Sequence, residues 1–289
     1  MSKNIEELIH FKEGKMPRVA AVHDICGYGN CSLVVALPVV SLGGVDVLPV
    51  PTSVLSAHTH FPSFTFFDTT PTLNEYVENW KELAVDVDGI YTGFLGSTTQ
   101  IDLIRKLASY YPEAFKVIDP VMGDNGKRYA TYTDEMCVEM RKLIPLADVL
   151  TPNITEASIL LDEEYPGVNI SIETAREIAQ KLINLGAKHV VLKGIETEDS
   201  ISNVVLSADG SFEIISYKLH EYKLHGTGDL FASCITAGLF SGHDLIESTK
   251  FAAKFVYDSI EFSTTQVGFE LRGVNYEPLM YRIVDFCRS

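Results

Sequence analysis

Basic residues are scarce in this chain of 289 residues: 23 Lys and Arg face 39 Asp and Glu, for a formal charge of −16. They run no longer than pairs such as Lys127-Arg128 and Arg141-Lys142. Phosphate backbones demand clustered cations, so the deficit argues against a nucleic-acid partner. Cysteine is little used: Cys26, Cys31, Cys137, Cys234 and Cys287 are odd in number and lack CxxC or zinc-type spacing. The N-terminus carries Glu6, Glu7 and His10 where a signal peptide would have an apolar core, so a reduced, cytoplasmic protein is expected. Long apolar runs are missing, since Leu33 to Leu42 falls far short of the ~20 residues that span a bilayer and Pro38 interrupts it, so no membrane partner is expected. There is no Walker A sequence, GxGxxG, GxSxG or HExxH, which removes support for P-loop NTPases, dinucleotide-binding enzymes, serine hydrolases and zincins.

The remainder reads as a well-packed globular protein. Apolar residues make up 46% of the chain, and a chain of this size buries roughly 75% of its unfolded surface without a disulfide or metal staple. From residue 18 on, short β-branched runs bounded by Gly, Pro or Asp alternate with helical spacing, the mark of a parallel sheet covered by helices. Strands are expected at Val19 to Val22, Val45 to Val50, Gly89 to Thr92, Lys116 to Asp119, Val149 to Thr151, His189 to Lys193, Asn203 to Ser207 and Phe212 to Ser216. Helices are expected at Asn30 to Leu42, Leu73 to Ala84, Thr98 to Tyr111, Asp134 to Pro145, Ile154 to Leu161, Ile172 to Leu185, Thr227 to Ser241 and Leu245 to Thr265. Asp209-Gly210 between the last two strands signals a hairpin. The fold class expected is α/β, a three-layer α/β/α sandwich with a mostly parallel central sheet and an antiparallel hairpin at one end. With no repeat or long linker, residues 1–17 are expected to form an arm, with an amphipathic turn at Ile5, Leu8 and Ile9, and residues 18–289 a single domain.

In open sheets of this kind ligands sit beyond the carboxyl ends of the strands, which selects five segments. In Gly226-Thr227-Gly228-Asp229 two glycines straddle a threonine at the start of an apolar helix. Backbone amides there suit a phosphate, and Asp229 could take the proton of an attacking alcohol. A tight turn with a dipole-complementing acid fits the tetrapeptide equally, and a helix N-terminus lowers a carboxyl pKa, which weakens a base. Asp119-Pro120-Val121-Met122-Gly123-Asp124 ends a strand in two acids that could face one cleft and hold Mg²⁺, or could be a strand end and an ordinary turn. The following Gly126-Lys127-Arg128-Tyr129 could be a flap over phosphates or a solvated loop. Asn153 and Glu156 have capping-box spacing, and Glu156 could also hold a metal-bound water. Lys193, just past a buried strand, could contact nucleotide or simply cap the strand. His23-Asp24, continuing to Asn30-Cys31-Ser32, and Thr52-Ser53 to His58-Thr59 supply small polar groups that suit the rim of a heterocycle. Both histidines could instead be satisfied core or turn residues.

With these segments in this order, the chain resembles the ribokinase-like small-molecule kinases over roughly residues 18 to 285, and among them the pyridoxal/pyridoxine/pyridoxamine kinase family. The resemblance implies a ribokinase-like domain that phosphorylates the 5′-hydroxymethyl group of a B6 vitamer with ATP and Mg²⁺, a monovalent cation being a further option. It implies Asp229 as catalytic base, with Gly226, Thr227 and Gly228 as its anion hole. Asp119, Asp124 and Glu156 are implied at the metal, and Thr151, Asn153, Lys193 and Tyr129 at the nucleotide. Asp24, Ser53, His58 and Thr59 are implied at the vitamin ring, and a homodimer as the assembly. Asp24 departs from the serine of many pyridoxal kinases and is similar to hydroxymethylpyrimidine kinases, so that activity is the alternative, with a non-catalytic vitamin-binding protein as a third reading.

Overall fold

A computed structural model describes Ile9 and residues 14–289. The strands are β1 (Arg18–Cys26), β2 (Asp46–Leu55), β3 (Phe66–Asp68), β4 (Gly89–Thr92), β5 (Phe115–Ile118), β6 (Gly123–Asp124), β7 (Lys127–Arg128), β8 (Val149–Leu150), β9 (His189–Glu196), β10 (Ser200–Ser207) and β11 (Phe212–Lys218). The helices are α1 (Leu33–Leu42), α2 (Thr70–Glu82), α3 (Thr98–Tyr110), α4 (Asp134–Arg141), α5 (Ile154–Leu161), α6 (Ile172–Asn184), α7 (Thr227–Ser241), α8 (Leu245–Ser263), α9 (Phe269–Arg272) and α10 (Tyr281–Cys287).

Nine strands form one sheet in the order β11-β10-β9-β8-β5-β4-β1-β2-β3. Pairing is parallel from β2 through β9, while β10 is antiparallel to β9 and β11, and β3 antiparallel to β2. Central strands are buried on both faces, which is why they read as unbroken apolar runs. Ala20, Val22, Val190 and Leu192 face one core with α2 to α6, and Val19, Ala21 and Val191 face a second core with α1, α7, α8 and α10. The architecture is the expected mostly parallel α/β sandwich with helices on both sides.

Two prolines in β2 would be out of place in a central strand. Pro49 and Pro51 sit where β2 pairs only with β1, because β3 joins on the other side only at Ser53 to Leu55. Pro38 inside α1 likewise frees the carbonyl four residues back, and the Tyr276 hydroxyl donates to that Val34 oxygen at 3.3 Å.

Differences from the expected elements have local causes. Helix α1 begins at Leu33, not Asn30, because Asn30 donates its side-chain amide to Val274 O at 2.7 Å and Ser32 is held at φ 55°. Helix α4 stops at Arg141, and Pro145 falls in a separate 3₁₀ turn, Ile144–Leu146. The short β3, α9 and α10 were not expected. Of the arm at 1–17, Ile9 is buried in the second core; Ile5, Leu8 and most of that segment lie outside the described residues. None of the described helices is long and apolar enough to cross a membrane.

The chain runs from β1 out to β2 and returns to β4 on the other side of β1. That reversal is a topological switch point, and the carboxyl ends of β1, β4, β5, β8 and β9 open beside it.

Candidate active site

Helix α7 is capped at its N-terminus by Gly226, held at φ +78°. A Cβ there would lie 1.7 Å from Asn30 O, so only glycine fits. The first intrahelical bond is Leu230 N to Gly226 O at 2.9 Å, which leaves the amides of Thr227, Gly228 and Asp229 in the first turn pointing outward. The Thr227 hydroxyl turns back to Leu224 O at 3.1 Å. Below the turn, the buried Tyr91 hydroxyl reaches Asp229 O at 3.3 Å and Ser233 Oγ at 3.1 Å.

The Asp229 carboxyl is pushed up to about 7, first by burial and then by the charges of Asp119 and Asp24, against a hydrogen bond from the Ser32 backbone N–H and the pull of Lys193. The helix start alone would lower it; desolvation and neighbouring acids outweigh that, and the group lies in the range of a working base. Ser32 also bonds the Asp24 carboxyl through its side chain. Its left-handed backbone, uncommon for serine, lets one residue serve both acids.

Opposite the helix start stands an acidic wall. Asp119 ends β5 with Oδ1 accepting from Thr151 Oγ1 at 2.8 Å and from Lys193 Nζ at 2.7 Å. Glu156 accepts from Asn153 N at 2.7 Å and Met122 N at 3.3 Å, while Glu156 N donates to Asn153 Oδ1 at 2.8 Å. The capping box thus forms, and its carboxyl is raised by burial and by Asp119. The Lys193 ammonium is held charged by Asp119, Glu156 and Asp229, and a Cβ on Gly228 would sit 3.8 Å from Nζ, so the lysine bridges the acids to the amide turn.

Three carboxyls around a single ammonium leave an excess of hard, negative oxygen, the donor set that suits Mg²⁺. They do not close into a tight three-carboxylate cage, and Mg²⁺, which keeps waters and shares substrate phosphates, does not require one. Asp119 and Glu156 are the residues that fit. Asp124 lies further out, exposed, with its carboxylate on Asn125 N and Nδ2 at 2.9 and 2.8 Å.

The segment after Asp124 is a two-residue hairpin. Asn125 and Gly126, at φ 50° and 73°, give the turn that matches strand twist between β6 and β7. Its tip docks on α5, with Gly126 N donating to Thr155 Oγ1 at 2.8 Å. Asn153 Nδ2 holds its base through Gly123 O at 2.9 Å. Tyr129, half-buried, faces the acids, since Glu156, Asp124, Asp229 and Asp119 all add to the burial that raises its pKa.

The β1–β2 end carries buried polar groups with no partner: both ring nitrogens of His23, Oδ1 of Asp24 and Oγ of Ser53. Such groups are rare and call for an explanation. Register slips here, with His23 opposite Pro51 but Ile25 opposite Val54, so Thr52 and Ser53 oppose Asp24 alone. This bulge re-aims side chains at the strand ends. Burial raises Asp24 to about 6 and lowers His23 to about 3. His58 is buried nearby in sequence, bonded to Leu271 O at 2.9 Å, and Thr59 is exposed.

The structure therefore brings Asp229, Gly228, Lys193, Asp119, Thr151 and Glu156 together, with Tyr129 facing them, and leaves Asp124 and Thr59 at the rim. Sequence reasoning placed Ser32 only among the small polar groups of the segment from His23 and did not foresee its part beside Asp24 and Asp229; it missed Tyr91, which sits in a strand that reads as plain core.

Residues 50–275 match the family model described as phosphomethylpyrimidine kinase. A hydroxymethylpyrimidine/phosphomethylpyrimidine kinase of Haemophilus influenzae is 30% identical over 81% of this chain and 80% of its own. A pyridoxal kinase of Arabidopsis thaliana is 32% identical over 74% of this chain and 70% of its own. A Bacteroides thetaiotaomicron protein assigned as a phosphomethylpyrimidine kinase, crystallised with pyridoxal, has 34% identity and a TM-score of 0.89, covering 93% of this chain and 96% of that one. The chain spans about a third of the length of two further curated relatives, both plant bifunctional enzymes of thiamine biosynthesis. With most of its length matched and its motifs in the order of the ribokinase-like superfamily, the chain belongs to the phosphomethylpyrimidine kinase family.

Proposed function

We propose that this protein is an ATP- and Mg²⁺-dependent kinase that transfers the γ-phosphoryl group to the 5′-hydroxymethyl group of pyridoxal, pyridoxine or pyridoxamine. The observation that carries the reading is Asp229, a carboxyl raised to about 7, standing in the first turn of α7 beside outward-pointing amides and across from Lys193 and Asp119.

The acceptor ring would lie against His23, Asp24 and Ser53, whose buried polar atoms would gain partners from it. Asp229 takes the hydroxyl proton as the alcohol oxygen bonds to the γ-phosphorus, and the bond from that phosphorus to the β–γ bridging oxygen breaks to leave ADP. The amides of Thr227 to Asp229 and the Lys193 ammonium hold the charge that spreads over the transferring group. Mg²⁺, held by Asp119 and Glu156, would supply neutralisation of phosphate charge. The β6–β7 hairpin and Tyr129 would exclude water from the phosphates. The ring assignment is supported by the pyridoxal-bound Bacteroides relative.

The second reading, hydroxymethylpyrimidine as acceptor, is favoured by Asp24, whose buried unpartnered Oδ1 would pair with a ring amine. A homodimer and a single catalytic unit over 18–289 belong to this proposal and are checked by sedimentation. The deciding experiment is ADP release with pyridoxal, pyridoxine, pyridoxamine and hydroxymethylpyrimidine supplied separately. Turnover of a B6 vitamer at a higher kcat/KM than the pyrimidine is expected. The reverse order would install the second reading, and ligand-induced thermal stabilisation without ADP would mark a binding protein instead.

A further inference from the structure

Three imidazoles, those of His58, His60 and His225, converge outside the phosphate-transfer machinery, each offering a ring nitrogen within 4.8 Å of the others. His60 Nδ1 and His225 Nε2 point at one another in direct contact. The His225 ring centroid lies 4.3 Å from that of His58 and 3.9 Å from that of His60.

The tautomer of His58 is fixed from both sides. Its Nε2 meets the Leu271 carbonyl at 2.9 Å, which can only accept, so Nε2 carries the proton; its Nδ1 is left as a lone pair and takes only a long bond, 3.3 Å, from His60 N. An imidazole that donates one N–H to a backbone carbonyl and presents the other nitrogen is the arrangement of a metal-ligating histidine with its outer support.

We propose that His58, His60 and His225 form a binding site for one borderline divalent transition-metal ion of the Zn²⁺ class, with the fourth position open to water or ligand. Three imidazoles with an open position suit zinc, cobalt or nickel and offer nothing to Mg²⁺, which prefers oxygen. His58 and His60 lie on the loop after β2, and His225 directly precedes Gly226, so a bound ion would stitch the acceptor-side loop to the approach of the amide turn.

The test uses metal-free full-length protein in excess Mg²⁺, titrated with Co²⁺ as a visible probe and then with Zn²⁺. One Co²⁺ per chain is expected, with the visible absorption of a low-coordinate nitrogen site, displaced by Zn²⁺. His60 is exposed, so His60→Ala should keep its metal-free melting temperature while losing at least about tenfold in Co²⁺ affinity, the least that even an outer-shell change causes. His225→Gln should weaken binding similarly. Absence of saturable one-to-one binding in the wild type, or unchanged affinity in His60→Ala, overturns the proposal, and neither outcome depends on kinase activity.

Discussion

In the proposed reaction Asp229 is the base, and its environment sets a sign that can be measured. A base works only when deprotonated, and burial raises its carboxyl from 3.8 to about 7. kcat/KM should therefore fall about tenfold per unit as pH drops below about 7, reaching a plateau above it. Asp229→Asn should cut kcat by about 10²–10⁴-fold with KM for acceptor nearly unchanged. A variant that keeps wild-type turnover, or keeps the acidic limb at the same pH, would assign the proton to another group. At this scale the sequence was informative where one residue type has few explanations: Gly226-Thr227-Gly228-Asp229 and Asp119 could be picked out from spacing. It named Ser32 only as one small polar group among several and could not give its part, which comes from a left-handed backbone beside two carboxyls, Asp24 and Asp229, a relation that only the folded loop creates.

Among the elements, α5 and α7 could be read to the residue because a capping box and a glycine pair mark their starts. β3, at three residues, is below the length at which alternation can be recognised. α10 is seven residues long, and its place is secured by packing, with Phe286 stacked on Phe251 at 4.2 Å between centroids. Helix α1 shows how a tertiary partner excuses a local fault: Pro38 would ordinarily break it, and Tyr276 caps the orphaned carbonyl. Tyr276→Phe keeps the ring and removes only that bond, so it should cost about 1 kcal/mol in urea unfolding while leaving the slope unchanged. A loss below about 0.3 kcal/mol would mean that the Val34 carbonyl has another partner.

At the scale of the molecule, an acidic chain gathers three of its carboxyls under cover, and Asp24, Asp229 and Glu156 are all raised by burial. For acids held above their unfolded values, the native state retains protons that the unfolded chain has lost, so stability from these groups declines as pH rises from about 4 through about 8. A cation that neutralises the wall binds only the native state and recovers this loss. Mg²⁺ should accordingly raise the melting temperature more at about pH 8 than at about pH 5.5, by at least about 2–4 °C, the shift that 1 kcal/mol makes in a domain of comparable size. An equal shift at both values would detach Mg²⁺ from these carboxyls.

Gly226 rests its α-carbon directly on the Asn30 carbonyl, backbone against backbone. The loop after β1 and the first turn of α7 are thus seated against one another with no side chain between them to yield. Any side chain at position 226 would have to drive the two backbones apart, so the seating of the loop against the helix start depends on that one missing carbon.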